Sequence, residues 1–201
     1  MSSNDYAYPV TPHLPGSHGT PDDEFATGVD ILRVLRECTL VQEKLDGLNL
    51  GLRMRAGRLE PVLKDRLLGR TELEALAPLL QSLSDPFRSL SEGAGLRVFG
   101  ELLSPSRPEV RNWRIFDIFD ERVGRFWAYW RVAETAAALS VETVPVLRYG
   151  ALRSITELRE LLQSAGADRE GVVLRVEDGD WLRERYKFVA ADFRKSPWSL
   201  L

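Results

Sequence analysis

The group in this sequence with the clearest capacity for covalent chemistry is the amine of Lys44, which lies within Glu43-Lys44-Leu45-Asp46-Gly47. Of the 27 basic residues in the chain, 23 are arginine and only four are lysine. An arginine side chain stays protonated, whereas a lysine amine can lose its proton and attack an electrophile. Keeping lysine at this position, in a chain that otherwise uses arginine, therefore indicates a nucleophilic role.

Two segments in the middle of the chain carry groups that could act beside such a lysine. The first, Val98-Phe99-Gly100-Glu101, is typical of a strand that ends near a carboxylate. The second, 113–120, is an aromatic strand that contains Phe116. Taken singly, a strand-end glutamate and a strand phenylalanine are ordinary structural residues. Their position downstream of Lys44 makes them candidates for binding a ligand.

Two further segments near the end of the chain add charge. Glu170 stands at the mouth of a buried strand that begins with Gly171. Arg185 and Lys187 are two residues apart, so a strand places both cations on the same face. Taken alone, this pair of cations would form a solvated face of the strand, and its position after the other segments makes it a further candidate.

The elements predicted to hold these groups are mostly strands, with helices set among them. They do not show the regular strand–helix alternation of a doubly wound sheet. Period-two patterns, turn signals and helix caps define these elements. The predicted fold class is α+β, with mostly antiparallel sheets and flanking helices. The predicted strands are 39–45, 49–55, 58–63, 96–103, 112–120, 125–130, 145–149, 171–176 and 181–189, and the predicted helices are 28–37, 71–83, 132–139 and one that begins at Ser154 and ends before Gly166.

The domain organisation expected from the sequence is an arm followed by one domain. Residues 1–24 contain four prolines, which exclude a helix interior or a central strand, so we expect an extended arm packed on the body. Residues 25–201 would form the domain that carries the chemistry. Only 14 residues follow Lys187, so we expect no C-terminal accessory domain.

Composition limits the classes of protein to which the chain can belong. Apolar residues make up 44% and charged residues 28% of the sequence, as in ordinary globular proteins. We expect no membrane association and a cytoplasmic location, because no apolar run reaches about 18 residues and no signal sequence opens the chain. The single cysteine, Cys38, excludes an internal disulfide and fits a small buried side chain. A net charge of −3 argues against tight autonomous binding of nucleic acid.

In order and spacing, these segments resemble the motifs of the ATP-dependent RNA ligase family, of the bacterial and phage type. That family belongs with DNA ligases and capping enzymes to the covalent nucleotidyltransferases. The matching segments are Glu43–Gly47, the Phe-Gly-Glu at 99–101, the aromatic strand ending at Asp120, Glu170–Val173 and the cation pair of 185 and 187. The arm segment 11–17 also resembles family sequence, so the resemblance covers nearly the whole chain. It implies a ligase-type nucleotidyltransferase fold, which is ATP-grasp-like.

The resemblance implies a reaction and a set of roles. Lys44 would be the catalytic residue that accepts AMP from ATP as a lysyl-AMP, and Glu170 would help to hold Mg²⁺ or Mn²⁺. Glu101 would bind the ribose, Phe116 would stack on adenine, and Lys187 with Arg185 would contact the α-phosphate. The full set of implied nucleotide-binding residues is Glu43, Asp46, Gly47, Arg70, Glu101, Phe116, Glu170, Arg185 and Lys187.

The resemblance also implies partners and leaves alternatives open. AMP would pass to a 5′-phosphate end for joining to a 3′-hydroxyl, with RNA favoured over DNA. A partner protein or an oligomer could supply the missing accessory domain. The alternatives are an adenylyltransferase for another acceptor, a DNA end-joining ligase, a capping-type transferase that uses GTP, and a catalytically silent nucleotide- or RNA-binding relic. For His13, the resemblance implies a place near the nucleotide, whereas the residues alone favour a capped turn.

Overall fold

A computed structural model describes residues 8–20, 23–63, 68–91, 95–104, 106, 108–164, 169–194 and 196 of the chain. These residues fold into two compact units. We call Val10–Asp46 with Val144–Ser196 the lysine unit, and Gly47–Thr143 with the described residues of Met1–Pro9 the aromatic unit. No helix in the described ranges is long and apolar enough to cross a bilayer.

The described elements comprise four α-helices, nine strands and one short 3-10 helix at Val110–Asn112. The helices are α1 (Ile31–Glu37), α2 (Arg70–Ser91), α3 (Tyr129–Ala138) and α4 (Ile155–Ser164). The strands are β1 (Leu40–Lys44), β2 (Leu48–Arg55), β3 (Arg58–Leu63), β4 (Leu96–Leu102), β5 (Trp113–Asp120), β6 (Arg125–Phe126), β7 (Val146–Tyr149), β8 (Gly171–Asp178) and β9 (Trp181–Val189).

The lysine unit is built on a four-stranded sheet with the order β7-β1-β8-β9. Its strand pairs are all antiparallel, and β8 and β9 form a hairpin whose turn contains Gly179 at φ 56°. Both helices of this unit begin at side-chain caps: Asp30 accepts from the backbone N–H of Arg33 at 3.2 Å, and Ser154 from that of Glu157 at 3.2 Å. These caps satisfy backbone donors that the first helical turn leaves unpaired.

The core of the lysine unit lies between this sheet and α1 and α4. Alternate side chains along a strand point to the same face, so one face of each central strand can be apolar throughout. Residues of the N-terminal arm contribute to the same core. Its buried members include Leu14, Val34, Leu35, Cys38, Val41, Leu152, Leu158, Val172, Leu174 and Phe188.

The aromatic unit is built on a five-stranded antiparallel sheet with the order β3-β2-β4-β5-β6. Helix α2 packs on it through Leu76, Leu79, Leu83 and Phe87, whose spacing forms one apolar stripe. Trp113 is fully buried, and its indole Nε1 donates to the carbonyl oxygen of Leu50 at 3.2 Å.

The observed architecture confirms the predicted α+β class with antiparallel sheets. Two element predictions were wrong. Helix α2 begins at Arg70, one residue before its predicted start, and it continues past its predicted end at Leu83 to Ser91. It does so through two prolines, because tertiary packing of the apolar stripe outweighs the hydrogen bonds that proline removes. The predicted strand 125–130 ends at Phe126, and α3 begins at Tyr129. The predicted end of α4 before Gly166 lies outside the described residues.

Candidate functional site

Lys44 lies at the end of β1 and forms an ion pair with Glu170. In the antiparallel register Lys44 is opposite Gly171, the first residue of β8. Glu170, which precedes Gly171, therefore lies close enough to contact the lysine. Lys44 Nζ lies 2.5 Å from Glu170 Oε1, with side chains 26% and 9% exposed. The amine is therefore held against a nearly buried carboxylate while part of its side chain remains accessible to a ligand.

The two other acids of the lysine motif have different partners. Glu43 precedes Lys44 in the strand, so its side chain leaves the opposite face of the sheet. Its carboxylate binds Arg169, with 2.9 Å between Glu43 Oε1 and Arg169 Nε. Asp46 Oδ2 accepts from the backbone N–H of Ser196 at 2.9 Å. Within the described ranges, the buried Asp46 Oδ1 has no hydrogen-bond partner.

Gly171 makes the Lys44–Glu170 arrangement possible because the backbones approach closely there. A Cβ atom at this position would lie 2.4 Å from the carbonyl oxygen of Phe188 and 3.0 Å from the Cα of Val189. No side chain fits at that distance. The glycine therefore lets β9 pass close to the start of β8, where Ala190 N–H also donates to the carbonyl oxygen of Glu170 at 2.9 Å.

The N-terminal arm extends the lysine unit beyond β9. The backbone N–H of Lys187 donates to the carbonyl of Pro12, and the N–H of Leu14 donates to the carbonyl of Lys187, both at 2.9 Å. His13 forms a parallel bridge with Lys187. The arm thus adds a short parallel stretch alongside the strand that carries the predicted phosphate-binding cations.

The two cations of β9 that are predicted to contact phosphate both contact side chains of the arm. Arg185 Nε donates to Thr11 Oγ1 at 3.1 Å, and Lys187 Nζ lies 3.2 Å from Asp23 Oδ1. Their spacing places them on one face of β9, as the sequence predicts. The side chain of Lys187 is 15% exposed, so its charge is mostly enclosed by the arm and the sheet.

His13 lies next to Lys187, with which it forms the parallel bridge, and it is 2% exposed. Its Nδ1 is 2.7 Å from Ser17 Oγ, its Nε2 is 3.2 Å from Asp23 Oδ1, and the ring of Phe25 stacks on it. Burial, followed by the charge of Lys187, lowers the pKa of His13 below its ordinary value, and Lys44 adds to this effect. The imidazole is therefore neutral at neutral pH.

In the aromatic unit, Gly47 packs directly against the strand that carries Glu101. A Cβ at Gly47 would lie 2.7 Å from the carbonyl oxygen of Leu102 and 2.9 Å from Glu101 Cγ. Only glycine fits this approach. Glu101 is opposite Asn49 on β2 and Arg114 on β5, and it shares a face of β4 with Phe99.

Phe116 lies at a β-bulge of β5. The register with β4 passes from Phe99–Asp117 to Gly100–Ile115, which leaves Phe116 as the extra residue. A bulge re-aims the side chain that it carries, and bulges are frequent beside active sites. The Phe116 ring has its centroid 5.1 Å from that of Tyr8, in an edge-to-face arrangement.

Tyr8 anchors an aromatic cluster that the sequence did not predict. Its ring also contacts Phe99 and Phe126, with centroids at 5.0 Å and 5.8 Å. Its hydroxyl donates to Asp117 Oδ2 at 2.5 Å, and Asp117 is 1% exposed. The sequence signals for this cluster were the aromatic strand 113–120 and the tyrosines of an otherwise turn-rich arm.

Arg70, the loosest of the predicted phosphate contacts, opens helix α2 of the aromatic unit. Its side chain is 94% exposed and pairs with Glu74 one turn later, with 3.0 Å between Nε and Oε1. Such an exposed pair contributes little to stability. The guanidinium is thus held only weakly and is available to a ligand.

The predicted residues are therefore divided between the two units. The lysine unit contains Glu43, Lys44, Asp46, Glu170, Arg185 and Lys187, and it brings Lys44 into contact with Glu170. The aromatic unit contains Gly47, Arg70, Glu101 and Phe116, and it brings Gly47 into contact with Glu101. Asp23, Ser17 and Tyr8 are not among the site residues predicted from the sequence. Their contacts depend on where the arm runs, which no local pattern encodes.

Two carboxylates of the lysine unit are of the type that can bind a divalent cation together with a nucleotide. No group of three or more His, Cys, Asp or Glu able to hold a metal is present among the described residues. Mg²⁺ commonly binds one or two carboxylates and completes its shell with phosphate oxygens and water. The Glu170 carboxylate and the orphaned Asp46 Oδ1 are hard oxygen donors of this kind.

The lysine unit therefore holds an accessible lysine against a carboxylate, on an antiparallel sheet that also carries Arg185 and Lys187. Residues 38–189 match the profile of the RNA ligase family. The chain belongs to that family.

Solved structures with the same fold include RNA ligases from a protist and from an archaeon. Naegleria gruberi RNA ligase with PPi has a TM-score of 0.62 and 17% identity, over 94% of this chain and 61% of that one. A variant of the same ligase with ATP and Mn gives 0.63 and 15%, over 90% and 59%. An archaeal ATP-dependent RNA ligase gives 0.68 and 18%, over 92% and 48%.

At these identities the likeness is one of fold. The chain spans 61% or less of the length of these ligases. No curated protein sequence matches the chain.

Proposed function

We propose that this protein is an ATP-dependent RNA ligase-type adenylyltransferase that forms a covalent lysyl-AMP at Lys44. The observation that carries the proposal is the 2.5 Å contact between Lys44 Nζ, at the end of β1, and Glu170, immediately before the neighbouring β8, with the amine partly accessible. Family membership and the order of the motifs support the same reaction. The solved relatives that contain ATP and Mn, or PPi, support ATP with Mg²⁺ or Mn²⁺ as the reactants.

The proposed first step is a displacement at the α-phosphorus of ATP. The lone pair of Lys44 Nζ forms a nitrogen–phosphorus bond while the bond from that phosphorus to the bridging oxygen breaks. The bond electrons leave with pyrophosphate, and the amine loses its proton to solvent. Only a neutral amine can attack, and arginine cannot supply one.

The charges of the lysine unit suit this step. Glu170 holds the amine in place, and Lys187 and Arg185 would offset negative charge on the phosphate and the leaving pyrophosphate. A divalent ion on Glu170 would add positive charge beside the phosphates. A divalent cation that takes Glu170 as its partner would also release Lys44 from its ion pair, and thereby favour the neutral amine.

The proposed contacts to the rest of the nucleotide, and the proposed acceptor, are those that the family resemblance implies. Phe116 and Glu101 are the proposed contacts to adenine and ribose, and the bulge at Phe116 is consistent with a ring aimed at a ligand. In the second and third steps AMP would pass from Lys44 to the 5′-phosphate of an RNA end, and a 3′-hydroxyl would then displace AMP to join the strands.

The test of the first step is labelling with ATP that carries the isotope at its α-phosphate, with Mg²⁺, followed by a denaturing gel. We expect the wild-type chain to become labelled, and the label to be lost in acid, as a phosphoramidate is. Lys44→Arg should not label, because a guanidinium cannot attack. Lys64→Arg and Lys195→Arg are the matched controls and should label normally. A labelled Lys44→Arg protein would contradict the proposal, and labelling by GTP alone would favour a capping-type transferase.

A second candidate function is transfer of AMP to an acceptor other than an RNA end. The chain has a net charge of −3, and many of its described arginines are paired with acids, for instance Arg33 with Glu184 and Arg53 with Glu60. Binding of a polynucleotide usually needs basic groups that are free to contact phosphates.

Addition of 5′-phosphorylated RNA, and of the matching DNA, to the labelled protein distinguishes these acceptors. Movement of label to the RNA strand supports the RNA ligase, and movement to DNA alone supports a DNA end-joiner. Label that stays on the protein in both samples would point to another acceptor, or to a partner protein that supplies nucleic-acid binding.

A further inference from the structure

The N-terminal arm encloses Lys187, one of the cations of β9, with a chain of polar contacts. Asp23 Oδ1 lies 3.2 Å from Lys187 Nζ and 3.2 Å from His13 Nε2. Its other oxygen accepts from the backbone N–H and the hydroxyl of Thr20, at 2.9 Å and 3.0 Å. One carboxylate thus fixes the arm with one oxygen and contacts the cation with the other.

The chain of contacts begins and ends on β9. The backbone N–H of Val189 donates to Ser17 Oγ at 2.8 Å, and Ser17 Oγ lies 2.7 Å from His13 Nδ1. On the far side of the imidazole, Nε2 faces Asp23, which contacts Lys187. Nε2 lies 3.2 Å from Asp23 Oδ1, although no well-aligned hydrogen bond to Nε2 occurs among the described residues.

This arrangement restricts the side chain of Lys187. A lysine ammonium sits on a flexible four-carbon stem and carries three donors. Contact with Asp23 fixes the direction of the stem and of the ammonium group at its end. His13 limits the movement of Asp23 in turn. Its ring is buried, stacked on Phe25 and in contact with Ser17 at Nδ1.

We propose that Asp23 and His13 are positioning residues that hold Lys187 for the phosphates of the nucleotide, so that the N-terminal arm is a working part of the site. This inference rests on the proposed function only for the identity of the ligand as a nucleotide. The arm acts through Lys187 rather than by touching the reacting atoms.

The experiment is a double-mutant cycle on self-adenylylation, measured as kcat/KM for ATP. Asp23→Asn keeps the size of the side chain and removes its charge, and we expect a fall of about 10-fold to about 100-fold, as for misplacement of a group that binds a reacting phosphate. In a Lys187→Met background the same Asp23→Asn change should have no further effect. Asp178→Asn, at the other end of the β8–β9 hairpin and exposed, is the matched charge control and should leave the rate unchanged.

A second variant tests the same inference independently, in case Asp23→Asn does not fold. His13→Gln leaves the Asp23 carboxylate in place and should also lower the rate, again only while Lys187 is present. Melting temperatures identify any variant that is merely unfolded. Effects of Asp23→Asn and His13→Gln that remain equally large in the Lys187→Met background would overturn the inference, as would an Asp23→Asn protein that behaves like Asp178→Asn.

A binding measurement separates this inference from the proposed function. Calorimetric titration with inorganic pyrophosphate reports on the phosphate site whether or not Lys44 becomes labelled. We expect weaker pyrophosphate binding in Asp23→Asn and in Lys187→Met, and no additional weakening in the double variant. If the wild-type protein does not label with ATP but shows this pattern, the proposed function fails and the role of the arm stands. Pyrophosphate binding that is indifferent to Asp23 would overturn the role of the arm.

Discussion

The two units hold their candidate functional groups by different contacts. In the lysine unit, Lys44 and Lys187 are each directed by a carboxylate, at 2.5 Å and 3.2 Å. In the aromatic unit, Phe116 is directed by a strand bulge and by edge-to-face contact with Tyr8. Charged contacts are strong and depend on protonation, whereas ring contacts depend on shape and burial. Substitutions in the first unit should therefore affect the rate of reaction most, and those in the second should affect affinity and stability.

The largest effect that distinguishes the units is expected for Glu170→Gln. This change removes the charge that holds the Lys44 amine, and with it a donor to a divalent ion. Self-adenylylation should fall by about 100-fold to about 1,000-fold, the range seen when one preorganised group of a catalytic site is removed. Glu160→Gln, on the exposed side of α4, is the control and should be silent. Labelling kinetics measure both, and a Glu170→Gln protein of normal rate would remove the pair from the mechanism.

Gly171→Ala tests whether the charged pair depends on close backbone approach. The added Cβ would meet the carbonyl oxygen of Phe188 at 2.4 Å, so β8 and β9 must separate. We expect a loss of about 1–3 kcal/mol in the free energy of unfolding, as for overpacking elsewhere, and a loss of labelling in the part that stays folded. At Gly69 an added Cβ finds its nearest atom at 3.6 Å, so Gly69→Ala is the control. Denaturant unfolding with equal stability for the two variants would contradict this account.

Phe116→Ala should weaken ATP binding without removing the nucleophile. Loss of stacking on a base costs about 1–3 kcal/mol by alanine substitution, so the half-saturating ATP concentration should rise by about 5-fold to about 150-fold. Phe116→Tyr keeps the ring and should stay near the wild-type value. If Phe116→Ala lowered the rate at saturating ATP and left half-saturation unchanged, the division of roles between the units would be wrong.

Tyr8→Phe should have a smaller effect, confined to stability. It removes the hydroxyl that donates to the buried Asp117 and keeps the ring contacts. Loss of one hydrogen bond to a carboxylate costs about 1.5–3 kcal/mol, toward the lower end here because Asp117 has other interactions. Tyr129→Phe, which removes a hydroxyl that bonds the neutral Thr143 at 2.9 Å, is a control with a weaker acceptor. Thermal unfolding should therefore show the larger shift for Tyr8→Phe, and equal shifts would argue against a special role for Asp117.

The smallest effect is a dependence of stability on pH through His13. Burial and the charges of Lys187 and Lys44 lower its pKa in the folded protein, while the contact with Asp23 opposes them. The unfolded state then binds more protons below the ordinary pKa of about 6.5, so stability is full above that pH and declines as the pH falls below it.

The slope of this decline can reach about 1.4 kcal/mol per pH unit for a single group. His13→Gln should remove that part of the decline, whereas the exposed His18→Gln should not. Unfolding measured between neutral and mildly acidic pH tests this. Equal pH dependence in wild type and His13→Gln would contradict it.

Local patterns predicted the strands well where they alternate or end at glycine. The third strand was placed at its observed bounds, 58–63, and the closing hairpin at its DG turn. They failed where packing overrides local preference. Helix α2 continues through Pro78 and Pro86 because its apolar stripe is buried, and the run after Phe126 is aromatic but turns into α3. Propensity alone contains neither fact.

The sequence by itself determined which chemistry the chain can attempt. Residue type and order are enough to identify the candidate groups, which are a rare lysine, its neighbouring acids and the later cations. Only the tertiary structure decided which charges meet. It paired Lys44 with Glu170 rather than with Glu43, and it brought Asp23 and His13 to Lys187 and Tyr8 to Phe116. These contacts join residues far apart in the chain. Their geometry comes from strand register and from the path of the arm, which packing of the whole core fixes and no short window of sequence records.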